Sequence, residues 1–66
     1  MRPYFFYFLR KTGGAPSMIV EPCLDDEDAR ARALRLLLDR PGRDTVEIWD
    51  EDRRLFELGR PEPVAG

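Results

Sequence analysis

Sixty-six residues leave room for one small domain, and a chain that is 42 % hydrophobic and 36 % charged has the composition of one that folds. Thirteen acidic against eleven basic side chains give a net charge of −2, the wrong sign for a general phosphate-backbone binder. There is no His and only one Cys. Ser–His and Cys–His nucleophile pairs, Cys-rich zinc sites and an internal disulfide are therefore excluded, and the single thiol suits a reducing compartment.

The N-terminal stretch Tyr4–Leu9 is apolar throughout and aromatic except at Leu9. Arg2 ahead of it superficially suggests a signal peptide, but the apolar run is short, aromatic rather than leucine-rich, and followed by no small-x-small cleavage site. No run reaches the roughly 18–20 apolar residues of a membrane span, so a cytoplasmic protein is expected. Tyr4, Phe6 and Phe8 alternate with Phe5, Tyr7 and Leu9, which predicts a strand apolar on both faces and hence central in its sheet. Lys11 to Pro16, with Gly13-Gly14, reads as a hairpin turn; no helix follows the glycines, so they lack a phosphate-loop context. Ser17 to Glu21 reads as a second strand, stopped by Pro22.

Cys23 reads as a small, half-buried apolar residue ahead of a helix, with neighbouring acids that disfavour a reactive thiolate. Asp25 or Asp26 can cap that helix, and Asp25, Asp26, Glu27 and Asp28 place negative charge where its dipole favours it. Leu24 is placed to staple the first turns. Ala29 to Leu38 is strong helix-forming sequence, ended by Pro41-Gly42. Thr45 to Trp49 alternates as a strand, Asp50-Glu51-Asp52 turns the chain, and Arg54 to Leu58 returns. The order is ββαββ. A four-stranded antiparallel sheet ordered 2-1-3-4, with one helix on one face, makes every neighbouring pair antiparallel and centres the aromatic strand. The fold class is α+β: a single mini-domain over 1–60, with a flexible, proline-containing tail over 61–66.

Three stretches carry a resemblance: Pro3-Tyr4-Phe5-Phe6-Tyr7-Phe8-Leu9-Arg10, Asp28-Ala29-Arg30-Ala31-Arg32-Ala33-Leu34, and Val46-Glu47-Ile48-Trp49-Asp50-Glu51-Asp52-Arg53. Across most of 3–58 the chain resembles a family of very short bacterial proteins of unknown function. Members open with an R-Y-F-F-H-L-R-type strand, continue through an A-R-A-E-A-type helix and close with a V-E-V-x-D-E-D-G-R hairpin. The resemblance implies a small α/β fold and no activity, and it carries over no functional residue. Tyr7 stands where the family often has His, and the middle segment is short. The hairpin lacks the Gly after Asp52, so Asp52 or Arg53 is expected in the left-handed or otherwise strained turn position.

Carboxylate pairs such as Asp50 with Asp52, or Asp25 with Asp28, need a desolvating cleft to do acid–base work, and one helix on one sheet has little room for one. A solvated turn and a helix cap account for them. Asp50-Glu51-Asp52 lacks the loop length and Gly of a calcium hand. No enzyme activity, cofactor, metal or small-molecule substrate is expected. Ten arginines, one lysine and an aromatic sheet invite a nucleic-acid reading, with Arg2, Arg10 and Lys11 flanking the sheet, but the net charge opposes it and it ranks second. The apolar surplus favours protein contact. The helix has an apolar arc of about 220°, wider than a sheet needs. Its flank Ala31, Leu34 and Leu38 is one candidate patch. The outer sheet face, with Trp49, Leu55 and either Phe5/Tyr7 or Tyr4/Phe6, is the other and the favoured one. The expected protein is a small acidic interaction module, an accessory or regulatory subunit or an inhibitor, self-associating as a homodimer.

Overall fold

The computed structural model describes residues 1–61; all of the expected tail except Pro61 lies outside the described residues. The elements are β1 (Arg2–Leu9), β2 (Ser17–Cys23), α1 (Asp26–Leu38), β3 (Thr45–Asp50) and β4 (Arg53–Gly59). The four strands form one antiparallel sheet in the order β2-β1-β3-β4. This is the ββαββ, α+β architecture that the apolar pattern predicts.

The alternation along β1 decides how the layers stack. Tyr4, Phe6 and Phe8 are fully buried beneath α1, whereas Phe5, Tyr7 and Leu9 on the other face are half-buried. Phe6 lies opposite Ile19 of β2 and Ile48 of β3, and Phe5 lies opposite Val20 and Trp49. The helix offers Ala29, Ala33 and Leu37, all fully buried and spaced four apart along one stripe. Two of the three are alanines, so the bulk between the layers comes from the sheet aromatics. Cys23, Val46 and Ile48 complete the core, with Ile19, Leu36, Leu55, Phe56 and Leu58 packed around it.

Both helix ends are closed by side chains. The Asp28 backbone N–H donates to Asp25 Oδ1 at 2.8 Å, while the Asp28 carboxylate accepts from the Leu24 N–H at 2.9 Å. That reciprocal pair resembles a capping box shifted back by one residue. Leu24 itself is 70 % exposed, so it does not form the expected staple; its backbone rather than its side chain closes the helix start. At the other end Arg60 reaches back from beyond β4. Its Nη2 donates to the carbonyls of Leu37, Arg40 and Arg43 at 2.7, 2.6 and 3.0 Å, and the first two of these also accept the backbone N–H groups of Arg40 and Arg43.

One turn and one strand end differ from expectation. β2 runs through Pro22 to Cys23, pairing Pro22 with Pro3 and Cys23 with Arg2. Pro22 is tolerated because β2 is an edge strand, where a missing N–H leaves no partner unsatisfied. In the β3–β4 hairpin the left-handed position falls on Glu51, with φ 56°, not on Asp52 or Arg53. The two-residue loop Glu51-Asp52 makes Glu51 the first central residue, the position where a hairpin turn of this length calls for positive φ. In the longer β1–β2 turn Gly13 and Gly14 take up positive φ without a side chain to strain.

Phe6→Ala should cost about 3–5 kcal/mol, comparable with the whole stability of a domain this size. It should abolish the folded circular-dichroism spectrum, whereas Phe5→Ala on the other face should leave a folded chain; equal losses would contradict the layer assignment. Glu51→Gly should raise the denaturation midpoint by relieving about 1 kcal/mol of left-handed strain. A lowered midpoint would mean that the Glu51 side chain contributes more than its backbone costs.

Candidate interaction surface

Because β1 and β3 are adjacent in register, the residues pointing away from α1 form one continuous face. It runs from Met18 and Val20 on β2, through Phe5, Tyr7 and Leu9 on β1, to Glu47 and Trp49 on β3 and Arg54 and Glu57 on β4. Met18 and Val20 are 51 % and 46 % exposed, and the central aromatics are half-buried by one another. Among the described residues no element packs over this face. Tyr7 and Trp49 meet edge to face, ring centroids 6.5 Å apart and planes at 81°, a favoured aromatic geometry. The indole Nε1–H donates to Glu47 Oε1 at 3.1 Å, which fixes the orientation of Trp49. Arg54 lies on the same side, 3.0 Å from Glu57 and 3.8 Å from Glu47. Tyr7, Glu47, Trp49 and Glu51 line an open hollow of about 320 Å3.

Of the residues picked out from sequence, Phe5, Tyr7 and Trp49 therefore come together on the outer face. Leu55 does not. A bulge between Ile48 and Trp49 sets Arg54, rather than Leu55, opposite Trp49, and Leu55 turns to pack against the core. Leu34 and Leu38, 37 % and 51 % exposed, lie on the outward side of α1 in the other layer, so the two candidate patches are separate surfaces. Met18 and Val20 were not singled out. Their signal was legible: once β2 pairs with β1, residues alternating with the buried-side Ile19 must share the face of Phe5 and Tyr7.

The opposite face has its own polar cluster where α1 begins. The Tyr4 ring is buried, but its hydroxyl donates to Asp26 Oδ1 at 2.8 Å and accepts from Arg2 Nη2 at 2.7 Å. Burial, then the bond to Asp26, push the Tyr4 hydroxyl above its ordinary pKa against the pull of Arg2. Arg2 also pairs with Asp26 at 3.2 Å and Asp50 at 3.0 Å, and its guanidinium lies 5.5 Å from the Tyr4 ring centre. Arg2 is thus on the helix side and does not flank the outer sheet face. Three of the four acids in the pairs Asp25/Asp28 and Asp50/Asp52 are engaged structurally: Asp25 and Asp28 close the helix start, and Asp50 holds Arg2 and Arg53. No group of three or more potential metal ligands occurs among the described residues, and no helix there is long and apolar enough to cross a membrane.

Cys23 is fully buried, beyond the half-burial expected, and forms no disulfide. Burial pushes its thiol pKa up; nearby Arg32 pulls it down, and Asp28 and Glu21 push it up further.

Comparison with protein-family models, with curated proteins and with solved structures returns no match.

Native Cys23 should react slowly with a thiol reagent at neutral pH, with a rate midpoint above the ordinary thiol range, and become fast on unfolding. Because its folded pKa is raised, its contribution to stability is full below the unfolded thiol pKa and declines as pH rises towards the folded one. Rapid, stoichiometric labelling of the folded protein at neutral pH would refute this.

Proposed function

We propose that the protein is a non-catalytic, cytoplasmic interaction module that self-associates through the outer face of its sheet, serving as an accessory or regulatory subunit or an inhibitor. The observation that carries this reading is the outer face itself. Phe5, Tyr7, Leu9, Met18, Val20 and Trp49 share it, and the single helix covers the other side. Aromatic and Met side chains with little lysine are the composition of interface cores.

Three features support a second copy as the occupant. Both sheet edges carry features that discourage edge-to-edge addition: Pro22 lacks a donor on β2, and the bulge twists β4. Association is thereby directed to the face. The molecule is a slab of 38 × 29 × 17 Å, whose broad side is comparable with the roughly 800 Å2 per partner that a stable interface covers. A sheet face stacked on its own copy, sheets about 10 Å apart, closes a two-fold dimer and leaves no apolar sheet face in water.

The nucleic-acid reading draws less support. The aromatics are bordered by Glu47, Glu51 and Glu57, which repel phosphate, and Arg54 is engaged by Glu57 and Glu47.

Light scattering or sedimentation over a concentration series should show a dimer. Trp49→Glu should give monomers or unfolding, because burying an unpaired carboxylate costs several kcal/mol. Val20→Glu, at an exposed position on the same face, should give a folded monomer, and Leu38→Glu on the helix flank should leave the dimer intact. A wild-type chain that stays monomeric at high micromolar concentration would overturn self-association.

A further inference from the structure

We infer that the hollow lined by Tyr7, Glu47, Trp49 and Glu51 is a binding site for a guanidinium group, the side chain of an arginine in a partner polypeptide. The hollow has the parts that such a cation needs. Two aromatic rings stand nearly perpendicular, so a planar cation lies against one face while the second ring walls it in. Two carboxylates, Glu47 and Glu51, border the rings and supply acceptors for a forked donor. The four lining residues include no base.

The protein already uses this chemistry within itself. On the helix side the Arg2 guanidinium lies 5.5 Å from the Tyr4 ring centre and pairs with two carboxylates, Asp26 and Asp50. Arg40 likewise sits over the Phe8 ring, 4.6 Å from its centre. The outer hollow repeats the receiving half of the Arg2 arrangement, an aromatic surface with two carboxylates, and leaves the cation to come from elsewhere.

Two details of the local structure point the same way. Trp49 is held by the bond from Nε1 to Glu47, so the indole face and one carboxylate are set before any ligand arrives. Glu51, at φ 56° where glycine would be unstrained, also lines the hollow, so the second acid belongs to the strained turn. Among the described residues Glu51 makes no ion pair, whereas Glu47 has Arg54 Nε at 3.8 Å. Arg54 is closer to Glu57, at 3.0 Å, and competes for Glu47 only at longer range.

The hollow is complete within one chain, so the inference does not require the dimer. It does share the outer face, so ligand and second copy compete if both bind. Trp49 is the sole tryptophan, and its emission and its indole N–H resonance report the hollow directly.

The test is a titration of dilute protein with a short arginine-containing peptide amide, beside the same peptide with citrulline, its neutral isostere. The arginine peptide should give a saturable shift of the Trp49 signals, and the citrulline peptide should bind at least about tenfold more weakly, a difference of about 1.4 kcal/mol. Glu47→Gln with Glu51→Gln should weaken the arginine peptide by a similar factor, and Arg54→Gln should strengthen it about threefold by freeing Glu47. Glu51→Gly should leave a folded chain and weaken the peptide, which separates lost binding from lost folding. Repeating the titration at about a hundredfold higher protein concentration, with molar mass measured alongside, separates this inference from self-association. A dimer with no arginine response at low concentration overturns the site and leaves the dimer standing; an arginine response in a chain that never dimerises does the reverse. Equal binding of arginine and citrulline peptides, or unchanged binding by Glu51→Gly, also overturns it.

Discussion

Strand β1 is apolar on both faces, and most of the structure follows from finding cover for it. A strand with no polar side cannot sit at an edge, so β2 and β3 flank it and the order β2-β1-β3-β4 results. One helix covers one face only. It covers the even-numbered set because Tyr4, Phe6 and Phe8 share that side with Val46, Ile48 and Cys23, and the alanine stripe of α1 lets the backbone approach them closely. Phe5, Tyr7 and Leu9 are then committed to the other face by the alternation itself. The outer aromatic surface is thus the geometric remainder of a core built from a strand with two greasy sides.

Arginines tie the helix to the sheet around the edge of its buried apolar stripe. Arg2 binds the first turn through Asp26 and reaches Asp50 at the end of β3. Arg32 pairs with Glu21 of β2 at 2.7 Å, and Arg60 closes the last turn from beyond β4. Arg43 donates to the carbonyls of Phe8 and Ala15, tying the β1–β2 turn to the segment before β3. Most of these contacts use a planar fork that reaches more than one acceptor, which an ammonium group on a flexible stem does less well. That gives a structural reason for arginine rather than lysine at these four positions, where composition alone offers none.

The element order, the layer arrangement and the helix limits were legible because each rests on a local pattern: alternation in the strands, the acidic helix start, and Pro41-Gly42 at its end. The misses lie where a local rule depends on a neighbour. Pro22 ends a strand in isolation, yet it is harmless once β2 is known to be an edge. Leu55 belongs to the outer face if β4 alternates perfectly, and only the bulge opposite Trp49 turns it inward. The strained turn position was expected from the missing glycine, but its place depended on where the two-residue loop begins, so it fell on Glu51. Phe5 and Tyr7 were paired in sequence with an equal alternative, Tyr4 and Phe6, because a strand apolar on both sides gives no internal clue to which face the helix takes.

The bulge and the strained turn sit within a few residues of each other, and together they shape one corner of the outer face. The bulge puts a charged residue, Arg54, opposite Trp49 where regular pairing would put Leu55. The left-handed Glu51 lines the same corner. Each departs from the simplest hairpin, and each exchanges an apolar or unstrained option for a charged one. The outer face is consequently not uniform. The β1–β2 side is aliphatic and aromatic, while the β3–β4 side sets Tyr7 and Trp49 among Glu47, Glu51, Glu57 and Arg54. Apolar area sets how strongly such a face is driven out of water, but a charged border sets which partner and which orientation it accepts. On the proposed reading of this face as an interface, the irregular hairpin is therefore the part of the molecule that would set partner and orientation, while the regular strands supply the apolar area.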